Sequence, residues 1–294
     1  MGQHEEVALP KPKLWLLNYV EVLKPRETLL LTFIGVCAAV VGAGGQPHVG
    51  WLLLAAFAIL VGSAGTNGLT NYIDRDVDAK MKRTQRRPLP SKRIFPPQKM
   101  LPLAIGLVLA GLVIAWFLDP LCFAFGLVGI IASVTWRKRV TCVFPQGTIA
   151  SLSPVAVGYL AFSHRLDLTL LFLCMLIGCF VPLHVWSVMI ANREDYIGAG
   201  ITYAPMSWTD RSAVGLLLAV SVLLYGSSLG LYFVSNLGLA YLVVANVLGI
   251  LTVAATLRLL IAGITRDAWR LYKLTAFPYL GIIFLTMALS AWLV

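Results

Sequence analysis

The sequence predicts an all-α, polytopic integral membrane protein of about nine transmembrane helices, and three observations carry that prediction. Hydrophobic residues fill 59% of 294 positions and charged residues only 12%, an apolar content above that of ordinary soluble domains. Apolar runs close to the ~20 residues that cross hydrocarbon recur along the whole chain. The basic residues then fall almost entirely into alternate connections, the asymmetry that orients a membrane protein.

In order, the runs cover residues 28–42, 51–69, 101–118, 121–136, 148–162, 168–191, 213–234, 237–257 and 274–293. Those at 121–136 and 148–162 are short for a full crossing, which points to tilting or a re-entrant stretch. Residues 1–25 form a polar tail expected to be cytoplasmic, without the apolar core and small-residue cleavage site of a signal peptide. Residues 26–294 form a single transmembrane domain. The longest connection, about residues 70–100, is too short for a soluble domain, so function must reside in the bundle and its loops.

A net charge of +10 in a soluble protein would suggest nucleic acid, but placement argues otherwise. With the N-terminus inside, every one of the 23 Lys and Arg residues except Arg165 lies on the cytoplasmic side, so the partner is the lipid bilayer and no nucleic acid is expected. The five cysteines lie in or beside apolar runs without metal-type spacing and read as small buried hydrophobes.

Chemistry concentrates where the second run leaves the membrane, in Asn71-Tyr72-Ile73-Asp74-Arg75-Asp76-Val77-Asp78. On a continuing helix Asn71, Asp74 and Asp78 share one face at i, i+3 and i+7, and Asp76 points away. Neighbouring carboxylates repel unless a cation lies between them, and hard oxygen donors suit Mg²⁺ bridging to phosphate. A solvated helix end is the plainer alternative. Against it stands the run into Lys80, Lys82, Arg83, Arg86 and Arg87, which adds guanidinium groups able to grip phosphate. Arg193-Glu194-Asp195-Tyr196 occupies the equivalent place after the sixth run, and two carboxylate groups on one membrane face could hold one or two Mg²⁺ against a diphosphate. His184 lies about two turns inside that run with Trp186 beyond it. A polar residue inside a membrane helix is a functional candidate, although a satisfied structural histidine fits equally. Lys24 at the inner mouth of the first run is either a snorkelling anchor or a phosphate contact.

The segment from Asn71 through Arg87-Pro88-Leu89 resembles the signature of the UbiA-type intramembrane prenyltransferases, and within them the protoheme IX farnesyltransferases. The likeness extends through Lys24-Pro25, Gly147-Thr148-Ile149, Pro154, Gly158, His184-Val185-Trp186, Asp195-Tyr196, Ala199-Gly200-Ile201 and Pro205. The sequence departs from the family pattern at Thr70, Val155, Leu183, Glu194 and Thr202. The resemblance implies a UbiA-type bundle that moves a farnesyl group from farnesyl diphosphate to a vinyl group of heme B. It implies Mg²⁺ on Asn71, Asp74, Asp78 and Asp195, with Lys24, Arg83, Arg87 and Lys138 on the diphosphate. His184, Trp186 and Tyr196 would face the acceptor, and heme A synthase or oxidase assembly factors would be partners. Two rivals stand beside it: a related prenyltransferase with a quinone-precursor or chlorin acceptor, and a transporter. A transporter would place its charges deeper in the spans than the helix mouths used here.

Overall fold

The computed structural model describes residues 12–135, 146–202, 204–263 and 265–293, and all regular structure among them is helical. The helices are α1 (Pro12–Val22), α2 (Pro25–Gly42), α3 (Val49–Asp78), α4 (Leu101–Leu118), α5 (Pro120–Val134), α6 (Gln146–Ser163), α7 (Leu168–Ala191), α8 (Arg193–Gly198), α9 (Asp210–Val234), α10 (Leu239–Ala262), α11 (Thr265–Thr275) and α12 (Phe277–Leu293). Among the described residues, seven helical stretches are long and apolar enough to cross a membrane. α5 and Gly147–Ser163 of α6 are apolar but shorter. Of the nine expected runs, seven correspond to these long stretches and two to the shorter helices, at the two runs whose sequences are short.

Lipid offers no hydrophobic reward for helix association, so the bundle depends on close backbone approach between small residues. Where α2 crosses α6, a Cβ on Gly158 would run into the Gly35 carbonyl, and one on Gly35 would meet the Pro154 carbonyl. Gly62 of α3 and Gly111 of α4 meet in the same manner. The Trp51 indole N–H donates to the Ala161 carbonyl at 2.9 Å, pinning α3 to α6. α12 packs on α2, so the last helix closes onto the first crossing. Buried hydroxyls satisfy one another: Ser228 Oγ lies 3.0 Å from Tyr279 Oη, and Tyr241 donates to the Ser228 carbonyl.

The length of α3 positions the site. Its 30 residues rise about 45 Å at ~1.5 Å each, against roughly 30 Å of hydrocarbon. Its final turns therefore project past the apolar slab and carry Asn71, Asp74 and Asp78 with them. The connection after α3 folds back over this end on a core of its own, made by Val22, Leu89, Ile94, Met100 and Ala104.

Overpacking a tight crossing costs about 1–3 kcal/mol, so Gly158→Val is expected to lower the melting temperature in detergent. Gly106→Val, where an added Cβ meets nothing within 4 Å, should leave it unchanged. Equal melting temperatures in the two variants would contradict the close crossing.

Candidate functional site at one membrane face

Asn71 and Asp78 are buried at the end of α3, at 6% and 1% exposure, and Asp74 is half-buried between them. Asp76 is exposed and pairs with Arg75 at 3.5 Å, off the shared face as helical geometry requires. The Asn71 amide donates to the Val22 carbonyl at the end of α1, so this side chain ties the α1–α2 corner to α3. Lys24 occupies that corner in the left-handed region, at φ 50°, with its ammonium 3.4 Å from Glu27. Lys24, Asn71 and Arg87 line one small pocket with Glu21, Val22 and Pro88–Pro90.

The basic loop closes over these carboxylates. Arg87 donates to Asp78 Oδ2 at 2.8 Å, and the Thr84 hydroxyl donates to the Asp78 carbonyl. Burial pulls the Arg87 guanidinium below its ordinary pKa, Glu27 and Asp74 oppose that as negative charges, and Arg83 adds to it as a like charge. The group remains a cation, held in a cluster of both signs. The second acidic motif reaches the same loop. Asp195 accepts the backbone N–H of Lys82 at 2.9 Å and of Arg83 at 3.4 Å, and Arg83 Nη2 donates to Tyr196 Oη at 3.1 Å. Glu194 is exposed beside them.

Below the charged rim lies a cavity of about 120 Å³ between α2, α3, α4, α5 and α6. Ser63, Thr66, Asn67 and Thr70 line its α3 wall, and on a 3.6-residue period Asp74 continues that stripe. Most of its lining is apolar, and several of its hydroxyls donate to carbonyls of their own helices. Thr66 donates to the Gly62 carbonyl, Ser133 to Gly129 and Ser151 to Gly147. Asn67 donates to Thr28 Oγ1 at 3.0 Å.

His184 stands apart from this cavity, where α7 meets α11. Its ring stacks between Phe180, at 5.4 Å, and Tyr272, at 4.6 Å between centroids. Its Nδ1 lies 3.4 Å from Thr275 Oγ1, whose own hydrogen is directed to the Leu271 carbonyl at 2.9 Å. With its own hydrogen directed to a carbonyl, the threonine oxygen is free to accept from Nδ1 in the tautomer that carries a proton there. Trp186 is buried and packs edge-on against Trp208 at 5.7 Å.

The structure thus brings Lys24, Asn71, Asp78, Arg83, Arg87, Asp195 and Tyr196 into one hydrogen-bonded region, with Asp74 on its face. It separates Trp186 from His184, and it ties Tyr196 to Arg83 rather than to the aromatic wall. Lys138 lies outside the described residues. Sequence reasoning passed over Glu27, which stands one helical turn from Lys24 and acts on Arg87, and over Asn67, which continues the Asp74 stripe inward.

A helical membrane bundle with a two-sign charged mouth above an apolar cavity is the architecture of an intramembrane enzyme whose substrate joins an anionic head to a hydrocarbon tail. The chain belongs to the UbiA prenyltransferase family, whose model matches residues 28–291. It is 34% identical over 281 residues to a protoheme IX farnesyltransferase of Desulforudis audaxviator (strain MP104C), covering 94% of this chain and 88% of the relative. Among solved structures, a digeranylgeranylglyceryl phosphate synthase superposes with a TM-score of 0.79 at 18% identity, covering 95% of this chain and 99% of that one. A UbiA homologue from Archaeoglobus fulgidus bound to GPP and Mg²⁺ gives a TM-score of 0.64 at 14% identity, over 94% and 100% of the two chains. At those identities the structures share the fold.

Because Asp195 accepts two amide hydrogens of the basic loop, Asp195→Ala should loosen it. Limited trypsinolysis, mapped by mass spectrometry, should then show several-fold faster cleavage after Lys82 and Arg83. Wild-type cleavage rates would argue that the loop is held without this carboxylate.

Proposed function

We propose that this chain transfers a farnesyl group from farnesyl diphosphate to a vinyl group of protoheme IX, giving heme O. The observation that carries the proposal is the continuity of α3: the face that lines the apolar cavity at Ser63, Thr66, Asn67 and Thr70 is the face that ends in Asp74. An isoprenoid tail belongs in such a cavity, and its diphosphate belongs at the rim. The relatives that carry the name protoheme IX farnesyltransferase support heme as the acceptor.

The donor chemistry fits Mg²⁺. Asp74, Asp78 and Asp195 with Asn71 supply hard oxygens, and among the described residues no three His, Cys, Asp or Glu side chains form a ready cation cage. An ion held there would take one or two of these carboxylates and complete its shell with phosphate oxygens and water. When bound, Mg²⁺ supplies charge neutralisation for the departing diphosphate. Arg83, Arg87 and Lys24 contribute the remaining positive charge, with Arg87 exchanging part of its bond to Asp78 for phosphate oxygen.

The allylic C–O bond breaks with its electron pair leaving on diphosphate. The heme vinyl π pair then forms the new C–C bond to the farnesyl cation, and water adds to the resulting cation and loses a proton, leaving a hydroxyl. The mostly apolar lining of the cavity keeps bulk water from this cation until the vinyl carbon attacks it. His184, held between Phe180 and Tyr272, is suited to contact the heme acceptor.

The rim carboxylates are expected to face the cytoplasm with the N-terminus inside, in the cell membrane, following the distribution of basic residues. Cysteines introduced at His164 and Lys92 should then react with an external, impermeant reagent at the first position alone; labelling of the second instead would reverse the orientation. Asp74→Asn or Asp78→Asn should cost at least ~10²-fold in turnover at saturating Mg²⁺, the scale of ~2.7 kcal/mol of lost charge stabilisation. Asp76→Asn should cost little. Near-normal turnover in the first two variants would reduce the acidic face to a solvated helix end. Purified protein given farnesyl diphosphate, Mg²⁺ and heme B should yield a heme heavier by a farnesyl group and a hydroxyl, and His184→Ala should change its Soret band. Unmodified heme beside a prenylated quinone precursor would transfer the assignment to that acceptor.

A further inference from the structure

The loop that presents Arg83 and Arg87 is gripped from behind by a residue with no part in the chemistry above. Arg93 donates through Nη1 to Asn18 Oδ1 and Glu21 Oε2, each at 2.8 Å. Through Nη2 it reaches Glu21 Oε1 at 2.9 Å and the Arg86 carbonyl at 2.8 Å. One guanidinium therefore fastens α1 to the peptide unit joining Arg86 to Arg87. Lys92 takes up a left-handed conformation, φ 59°, immediately before it, which turns the chain towards α1.

α1 is a fixed point for this grip. Its last carbonyl accepts the Asn71 amide, and Val22 is buried in the small core beneath the loop. Its outer side chains Trp15, Leu16, Leu17 and Val20 are exposed and apolar, the pattern of a helix lying in the interfacial layer of a bilayer. An isolated surface ion pair contributes little. Arg93 differs because its planar fork satisfies acceptors on two separate segments at once, and bidentate pairing sets orientation as well as distance.

We propose that Arg93 is a positioning residue for the donor diphosphate: by holding the Arg86 carbonyl against α1, it sets where the Arg87 guanidinium stands relative to Asp78 and the rim. The proposal rests on the rim being the diphosphate site. Its competitor is that the apolar core of Leu89 and Ile94 holds the loop unaided.

The test is steady-state kinetics of the purified full chain with farnesyl diphosphate and heme B, for wild type, Arg93→Ala, Arg93→Lys and Glu21→Gln, with a melting temperature for each. Arg93→Ala should raise KM for farnesyl diphosphate about tenfold with kcat within about twofold, a loss of binding common to ground and transition states. KM for heme B should not move. Arg93→Lys should recover part of the loss, since an ammonium keeps the charge without the fork, and Glu21→Gln should raise KM by about two- to threefold. An unchanged KM for farnesyl diphosphate in Arg93→Ala overturns the proposal, whether or not the melting temperature falls. If that variant does not fold, an unchanged KM in Glu21→Gln overturns it equally. A wild type that turns over no farnesyl diphosphate sinks the functional reading itself, an outcome distinct from a normal wild type with a silent Arg93.

Discussion

Hydrocarbon cannot solvate a diphosphate, and water does not readily accept an isoprenoid tail, so a protein that handles both in one molecule must straddle the boundary between them. The rest of the structure follows from that constraint. α3 is longer than the hydrocarbon is thick and can wall an apolar cavity and carry carboxylates beyond it. The basic loop has a small core of its own because it must hold arginines over those carboxylates outside the main bundle. The second acidic motif leaves α7 at the same level, where Asn192 interrupts the helix and Asp195 turns onto the loop.

Much of this was legible in the sequence because membranes simplify the code. Apolar length marks the crossings, and 3.6-residue periodicity puts Asn71, Asp74 and Asp78 on one face once the helix is known to continue past the membrane. The two runs that were short in sequence are the two short helices. What escaped depended on contacts between segments far apart in the chain. That Asp195 binds backbone N–H groups rather than joining the other carboxylates directly follows from loop geometry, which no spacing encodes. Tyr196 was assigned to the acceptor by resemblance, and its hydroxyl meets Arg83 across more than a hundred residues of sequence. The separation of His184 from Trp186 was in principle readable, since residues two apart on a helix stand about 200° around its axis and cannot line one wall.

Two regions of the bundle differ in character. The α3 side of the cavity is made of small and polar residues among apolar ones, and suits a flexible chain that asks only for exclusion of water. The α7–α11 region, outside that cavity, is built of stacked rings around an imidazole, and suits a flat, rigid partner. The close Gly62–Gly111 approach forms part of the cavity's own lining.

The single-helix construction of the α3 stripe has a further consequence. Distances between residues on one continuous helix are fixed by its backbone hydrogen bonds, whereas distances between helices shift whenever the bundle breathes. Because the α3 wall of the cavity and Asp74 lie on the same rod, the spacing between that wall and the charged rim stays fixed even if neighbouring helices part.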